Sequence, residues 1–197
     1  MDEKNKKIKK IKQKIALFIG RFQPFHKGHY RALKEILKRY KKAVIAIGSS
    51  NQKRDFKNPF LAKERKEMIK KVIEKKLKKY KKNISFSDIS DCEDDLEWIE
   101  KIKKRFPPSK YDICSKNLLV LKLAKLKNFK IFEPKLFKRE KYRGEKIRKI
   151  LFKKFEIKKI KQLVPFEIYR YIKQNLNKIK KIKLAALYLG PIIYCYF

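Results

Sequence analysis

Cysteine and histidine are scarce in this chain, and the few present are scattered. Cys92, Cys114 and Cys195 contain no Cys-x-x-Cys pair, and they form no metal-binding pattern with the only two histidines, His26 and His29. Such a set excludes a disulfide framework and a zinc module, and it is typical of reduced thiols in a cytosolic protein. The sequence therefore predicts a cytoplasmic protein without a metal site built from its own side chains.

Long hydrophobic runs are also missing. No stretch reaches the roughly 18 apolar residues of a transmembrane helix, and the short apolar run after the basic N-terminus cannot serve as a signal peptide. Residues 177–197 change from lysine-rich to largely apolar, with a Gly-Pro pair in the apolar part. A strand or a partner-docking segment is expected there; contact of this tail with a membrane surface is the less favoured alternative.

Acidic residues are few, since 20 Asp and Glu stand against 58 Lys and Arg, giving a net charge of +38. Nucleic-acid binders favour arginine for bidentate contacts, yet most of these cations are lysines, and they are spread through nearly every segment. A nucleic-acid-binding face and an A+T-rich coding sequence both account for this pattern. In either case, non-specific and salt-sensitive binding to polyanions is expected.

Short apolar runs alternate with segments of helical spacing. Strands are predicted at 15–19, 43–47, 84–89, 111–114 and 129–132, and helices at 26–41, 61–80, 96–106, 117–126, 144–155 and 165–176. This alternation predicts an α/β fold, a Rossmann-like parallel sheet of about five strands with flanking helices. We divide the chain into a basic leader (1–13), one domain (14–176) and the tail (177–197). The absence of a Gly-x-x-x-x-Gly-Lys-[Ser/Thr] motif excludes a P-loop protein.

The stretch that joins the first strand to the first helix reads Gly-Arg-Phe-Gln-Pro-Phe-His-Lys-Gly-His over residues 20–29. The amino end of a helix presents free N–H groups and a partial positive charge, which together bind anions. His26, His29 and Arg21 add side-chain donors at the same place, and Gly28 allows a ligand to approach the backbone closely. The stretch therefore predicts a phosphate-binding site.

These ten residues resemble the signature of the HxGH nucleotidylyltransferase superfamily, and the Gly-Arg-Phe-Gln-Pro-Phe form resembles that of archaeal-type nicotinamide-nucleotide adenylyltransferases. Two further segments extend the resemblance, which covers roughly residues 14–175. Residues 58–65, Asn-Pro-Phe-Leu-Ala-Lys-Glu-Arg, are similar to the family's Asn-Pro-Phe-Thr-x-x-Glu-Arg. Asp88-Ile89 followed by Trp98 resembles its nicotinamide pocket, where a tryptophan stacks on the cationic pyridinium ring.

The resemblance implies an adenylyltransferase that joins ATP and nicotinamide mononucleotide into NAD and pyrophosphate, with Mg²⁺ carried by ATP. It implies His26, His29 and Arg148 as catalytic residues. The implied ATP-binding residues are Gly20, Arg21, Phe22, Gln23, Phe25, His26, Gly28, His29, Ser115, Asn117 and Arg148. The implied residues for nicotinamide mononucleotide are Asp88, Ile89, Trp98, Arg54, Asn58 and Arg65. Because the family often forms multimers, a homo-oligomer is also expected.

The chain departs from the family pattern at three places. Residues 53–55 are Lys-Arg-Asp where Ser-His-Thr is common, Lys116 replaces the glycine of Ser-Gly-Asn, and Arg143 and Glu145 replace the two hydroxyl residues of Tyr-Ser-Gly-Thr-x-Ile-Arg. An acidic side chain beside a triphosphate is unfavourable unless it turns away or meets Mg²⁺. Two alternatives therefore stay open: the same fold acting on a flavin or pantetheine phosphate, and a non-catalytic nucleotide- or RNA-binding derivative.

Overall fold

All five predicted strands are present, and they form one parallel sheet. The computed structural model describes residues 14–135, 140–154 and 156–188, so the basic leader and the last nine residues of the tail lie outside the described residues. The strands are β1 (Ile15–Gly20), β2 (Lys42–Ile47), β3 (Ile84–Asp88), β4 (Tyr111–Cys114) and β5 (Ile131–Phe132). The helices are α1 (Lys27–Arg39), α2 (Ala62–Lys76), α3 (Asp95–Arg105), α4 (Leu118–Leu126), α5 (Gly144–Lys149), α6 (Ile157–Ile160), α7 (Phe166–Gln174) and α8 (Leu176–Tyr188).

The strand order is β3-β2-β1-β4-β5, and every neighbouring pair is parallel. β2 and β3 therefore lie on one side of β1, and β4 and β5 lie on the other side, so the strand order reverses between β1 and β4. The loops after β1 and β4 separate at this reversal and leave a crevice at the carboxyl ends of the strands, where ligands bind in such sheets. The predicted fold class is confirmed.

Both faces of the sheet are covered by helices, as expected for a parallel sheet. Alternate residues of β1 point to opposite layers: Ala16 and Phe18 pack in the larger core with α1, α2 and α7, while Leu17 and Ile19 pack in a second core with α3 and α4. Because α1 and α4 follow the two strands on either side of the crevice and are fixed by separate cores, their amino ends are held rigidly at its rim.

Two predicted helices change type within their predicted limits. The helix predicted at 61–80 ends at Lys76 and continues as a 3₁₀-helix (Lys78–Asn83), because six lysines among residues 75–82 repel one another at helical spacing. The segment predicted as one helix at 144–155 is α5 followed by a π-helical turn (Ile150–Lys154), which buries both Leu151 and Phe152.

The start of the tail is helical. The strand expected in the apolar segment is wrong for residues 184–188, which continue α8. Ile179 is buried in the larger core, so packing extends beyond residue 176. Within the described ranges, no helix is long and apolar enough to cross a membrane.

Candidate active site

A cavity of about 550 Å³ occupies the crevice at the carboxyl ends of β1 and β4. Ten of the eleven predicted ATP-binding residues line it; Phe25 alone lies behind the wall, 1% exposed, with its ring 5.6 Å from the ring of His29. The lining residues are Phe18, Ile19, Gly20, Arg21, Phe22, Gln23, His26, Gly28, His29, Ala32, Ser115, Lys116, Asn117, Pro134, Lys135, Tyr142, Arg143, Gly144, Glu145 and Arg148. We call this the larger cavity.

The two histidines form a reciprocal cap at the amino end of α1. The backbone N–H of His29 donates to Nδ1 of His26, the backbone N–H of His26 donates to Nδ1 of His29, both at 3.3 Å, and the rings stack with centroids 3.6 Å apart. A neutral imidazole has one donor and one acceptor nitrogen. Because Nδ1 accepts in both rings, each ring carries its proton on Nε2 and offers an N–H donor there.

Burial keeps both rings neutral. Desolvation, followed by the charge of Arg148, lowers the pKa of His26 from 6.5 to about 4. Desolvation and the neighbouring His26 hold the pKa of His29 well below its usual value. At neutral pH the pair therefore acts through its hydrogen-bond donors, and the positive charge in the cavity comes from arginine and lysine.

Gly28 makes room for this stacked pair. A Cβ atom at this position would lie 3.0 Å from the ring of His26 and 3.3 Å from Cβ of Tyr142. A side chain here would therefore push the ring of His26 away from its capping position. The sequence predicted a glycine for close approach of a ligand; the structure shows that it is also needed for the histidine ring.

Arg148 is fixed against the loop that follows β1. Its Nη1 donates to the backbone carbonyl of Gln23 at 2.9 Å, while the side chain of Gln23 exchanges two hydrogen bonds with the backbone of Phe60, at 2.8 and 3.1 Å. Gln23 thus joins the first loop to the second and leaves its carbonyl to orient the guanidinium. Desolvation, and then the nearby charge of Arg21, lowers the pKa of Arg148.

The larger cavity is cationic. Five of its described lining residues are arginine or lysine, and one, Glu145, is acidic. Glu145 is turned toward Lys149, one helical turn later, with an oxygen–nitrogen distance of 2.7 Å, and its side chain is largely exposed. The acidic replacement found in the sequence is therefore neutralised by a lysine of the same helix. Lys116 similarly lies 3.3 Å from Glu133.

A smaller cavity of about 230 Å³ adjoins the larger one. The two share Ile19, Gly20, Arg21 and Asn117, and Trp98 lines the smaller one. The remaining lining residues are Gly48, Ser49, Asp91, Cys92, Asp95, Leu119 and Val120. A volume of this size accommodates a ring and part of a sugar, and the larger cavity has more than twice that volume.

The structure does not bring the other five predicted acceptor residues into the smaller cavity. Asp88 pairs with Lys66, and the backbone N–H and carbonyl of Ile89 bond to Ile47 and Ser50 within the sheet and the next loop.

Arg54 and Asn58 shape the second loop. Arg54 pairs with Glu64 at 2.8 Å, and Asn58 bonds to Asp55. The cap residue of α2 is Leu61, whose backbone N–H donates to Glu64 at 2.9 Å.

Arg65 lies beneath the smaller cavity, 1% exposed. Its guanidinium donates to the backbone carbonyls of Arg21 and Gly48 at 2.6 Å and of Ser49 at 2.9 Å, so it joins the carboxyl ends of β1 and β2. Desolvation lowers its pKa to about 10, which leaves it protonated at neutral pH. Its contacts place Arg65 as a residue that positions the cavity wall.

No role was predicted for Asp91 and Asp95, although both line the smaller cavity. A signal was available, because residues 91–95 contain four acidic residues in a chain that has only 20. The described part of the chain contains no cluster of three or more His, Cys, Asp or Glu side chains arranged to hold a metal ion.

Comparison with known proteins agrees with this geometry. Residues 17–150 match the family described as cytidylyltransferase-like, and the chain belongs to that family. Within it, the chain is 34% identical to a nicotinamide-nucleotide adenylyltransferase of Methanococcus maripaludis over 85% of this chain and 94% of the relative. It is 29% identical to the Pyrococcus furiosus protein of the same name over 88% of this chain and 89% of the relative. The resemblance to archaeal-type adenylyltransferases is thus confirmed.

Solved structures show the same fold at low identity. A bifunctional NMN adenylyltransferase/ADP ribose pyrophosphatase from Francisella tularensis, crystallised with AMP and a manganese ion, matches 90% of this chain with a TM-score of 0.70 at 19% identity. A Plasmodium falciparum nicotinic acid mononucleotide adenylyltransferase matches 84% with a TM-score of 0.56 at 17% identity. The chain spans 54% of the Francisella chain and 97% of the Plasmodium chain. It also spans 45% of a matched relative from Acinetobacter baylyi.

Proposed function

We propose that this chain is a nicotinamide-nucleotide adenylyltransferase, which joins ATP and nicotinamide mononucleotide into NAD and releases pyrophosphate. The observation that carries the proposal is the pair of adjoining cavities, which meet at Gly20 and Arg21. One offers two Nε2 donors among several cations, as a triphosphate requires. The other offers Trp98, the best aromatic partner for a cationic ring.

The reaction is an adenylyl transfer between two bound substrates. An oxygen of the mononucleotide phosphate forms a bond to the α-phosphorus of ATP, and the bond from that phosphorus to the bridging oxygen of the β-phosphate breaks. The attacking phosphate is already an anion, so no general base is needed. Catalysis then consists of holding the two phosphates in line and stabilising the charge that develops on them.

His26 and His29 supply the donors closest to the helix end, and we assign them to the α- and β-phosphates. Arg148 and Arg21 are assigned to the β- and γ-phosphates. Because Arg148 is oriented by the carbonyl of Gln23 at 2.9 Å and the histidines by their mutual cap, these donors are in place before ATP binds. Such preorganisation is the main source of electrostatic catalysis.

Magnesium enters this scheme as part of the nucleotide substrate. The larger cavity contains one carboxylate among its described residues, and Lys149 already pairs with it, so the donor set fits an ion held by phosphate oxygens better than one held by the protein. Mg²⁺ of this kind keeps several waters and is bound largely through substrate phosphates. It would neutralise charge on the leaving pyrophosphate.

The two alternatives are less well supported. A flavin or pantetheine phosphate acceptor has no cationic ring, so neither the face of Trp98 nor the carboxylates of Asp91 and Asp95 in the smaller cavity would attract it by charge. A non-catalytic derivative was suggested by Arg143 and Glu145, yet Glu145 is paired with Lys149 and Arg143 adds a cation to the lining. Neither replacement removes the donors of the histidine pair.

The test is pyrophosphate release from ATP and Mg²⁺ with each acceptor separately: nicotinamide mononucleotide, flavin mononucleotide and pantetheine phosphate. Moderate salt limits polyanion effects. We expect release with nicotinamide mononucleotide alone. Release with another acceptor would retain the mechanism and replace the substrate, and a folded, ATP-binding protein that releases nothing would support the non-catalytic alternative.

A further inference from the structure

The smaller cavity has an acidic wall in a strongly basic protein. Asp91 and Asp95 line it beside Trp98, and Arg21 is the one cation among its described lining residues. Arg21 stands on the side shared with the larger cavity, where the proposed function assigns it to phosphate. The part of the smaller cavity around Trp98 therefore presents negative charge, although the whole chain carries a net charge of +38.

Asp91 is held at this wall by the loop that follows β2. Its Oδ1 accepts a hydrogen bond from Ser49 at 3.0 Å, and its Oδ2 accepts one from Nε2 of Gln52 at 3.1 Å. Its backbone N–H and carbonyl both bond to the side chain of Asn51, at 2.9 and 3.3 Å. Because both carboxylate oxygens and both backbone groups are engaged, the charge has a fixed place beside the cavity.

We propose that Asp91, assisted by Asp95, makes this enzyme select the amide form of its acceptor over the deamidated form. The inference rests on the proposed function and refines it. Both acceptors have a cationic pyridinium ring, but the deamidated form carries a carboxylate where the other has a neutral carboxamide. The two aspartates repel the carboxylate of the deamidated form, whereas the carboxamide N–H groups of the amide form can donate hydrogen bonds to the aspartates. Selectivity of this kind comes from a repulsive element against the wrong ligand.

Asp91→Asn is the informative variant, since it keeps the size of the side chain while removing the charge. Its Oδ1 still accepts from Ser49, and its Nδ2 donates to Oε1 of Gln52 once that amide group turns over. Glu93→Gln is the matched control, because it removes a charge from the same loop at a residue outside both linings. The ratio of kcat/KM for the amide acceptor to that for the deamidated acceptor is measured for each protein. We expect Asp91→Asn to lower this ratio about tenfold, a scale that a charge pair near a protein surface can supply, and Glu93→Gln to leave it unchanged.

A binding measurement separates this inference from the proposed function. Trp98 is the only tryptophan, so quenching of its fluorescence by each mononucleotide reports binding in the smaller cavity without any turnover. If neither acceptor is turned over, the proposed function fails, and the titration still decides the inference. Tighter binding of the amide form that is lost in Asp91→Asn supports it. Equal affinities, no quenching, or a kcat/KM ratio that Asp91→Asn does not change would overturn it.

Discussion

The two adjoining cavities have opposite electrostatic character although they share lining residues at the ends of β1 and β4. The larger cavity is lined by five cations and one paired carboxylate, and its histidines are neutral donors. The smaller cavity is lined by two carboxylates and a tryptophan. This difference matches the two ends of the proposed reaction, because a triphosphate is anionic and a pyridinium ring is cationic.

The side chains that line the two cavities are also positioned by different kinds of contact. The histidine donors of the larger cavity are fixed by the chain immediately around them, since they cap each other three residues apart, whereas Arg148 is oriented by the distant carbonyl of Gln23. The wall of the smaller cavity depends on contacts between distant segments, such as Arg65 with the end of β1 and Asp91 with the loop after β2. Local sequence therefore specifies the histidine pair, and tertiary structure specifies the position of Arg148 and the wall of the smaller cavity.

His29→Ala is the strongest test of whether the two cavities have separate roles. Loss of one preorganised donor to a developing oxyanion costs about 10²–10³ in kcat, and we expect that loss here. Binding in the smaller cavity, measured by quenching of Trp98 with nicotinamide mononucleotide, should be unaffected. Lys27→Ala is the control, since it removes a charge from the same helical turn outside the lining. Unchanged turnover in His29→Ala would contradict the role given to the pair.

Lowering the pH should reduce the stability of the folded protein through His26. The pKa of His26 is about 4 when folded against 6.5 when unfolded, so the unfolded chain takes up the proton first as pH falls. The contribution of His26 to the free energy of unfolding is therefore complete above about pH 6.5. It is lost as the pH falls from about 6.5 to about 4, a change on the order of 3 kcal/mol at about 1.4 kcal/mol per pKa unit.

His26→Asn provides the comparison for this pH effect. Asparagine caps a helix well and does not titrate, so the melting temperature of the variant should fall less than that of the wild type across this pH range. Carboxylates titrate equally in both proteins, and their contribution cancels. Parallel pH profiles for the two proteins would show that the histidine cap does not govern acid stability.

Arg65→Lys should weaken the boundary between the cavities. The three carbonyls are reached from two guanidinium nitrogens, a spread that the single nitrogen of lysine does not match. The loss of buried hydrogen bonds to a charged group costs about 2 kcal/mol. We expect a lower melting temperature and a higher KM for both substrates. Arg170→Lys, an exposed arginine over the ring of Phe166, serves as the control. A rise in KM for the acceptor alone would instead indicate direct contact between Arg65 and that substrate.

The difference between the cavities explains what the sequence could predict. Apolar runs at 15–19 and 43–47 identified the strands, and the residues after the first strand identified the phosphate site, because both signals are local. The places of Arg65, Arg54 and Asp88 could not be read in this way. Arg65 bonds to the backbone carbonyl of Arg21, Arg54 pairs with the side chain of Glu64, and Asp88 pairs with the side chain of Lys66. Those partners become neighbours only when the sheet and helices assemble.

Trp98→Ala tests the smaller cavity alone and should have the mildest effect. Stacking of a cation on tryptophan contributes about 1 kcal/mol at a partly exposed site, so KM for nicotinamide mononucleotide should rise five- to tenfold, about one order of magnitude at most. KM for ATP should stay constant, because Trp98 does not line the larger cavity. Trp98→Phe should recover part of the loss, and Phe166→Ala, which removes an exposed aromatic ring elsewhere, should change neither constant. If Trp98→Ala raised KM for ATP as much as KM for the acceptor, the two cavities would act as one site, and their opposite charges would not separate the substrates.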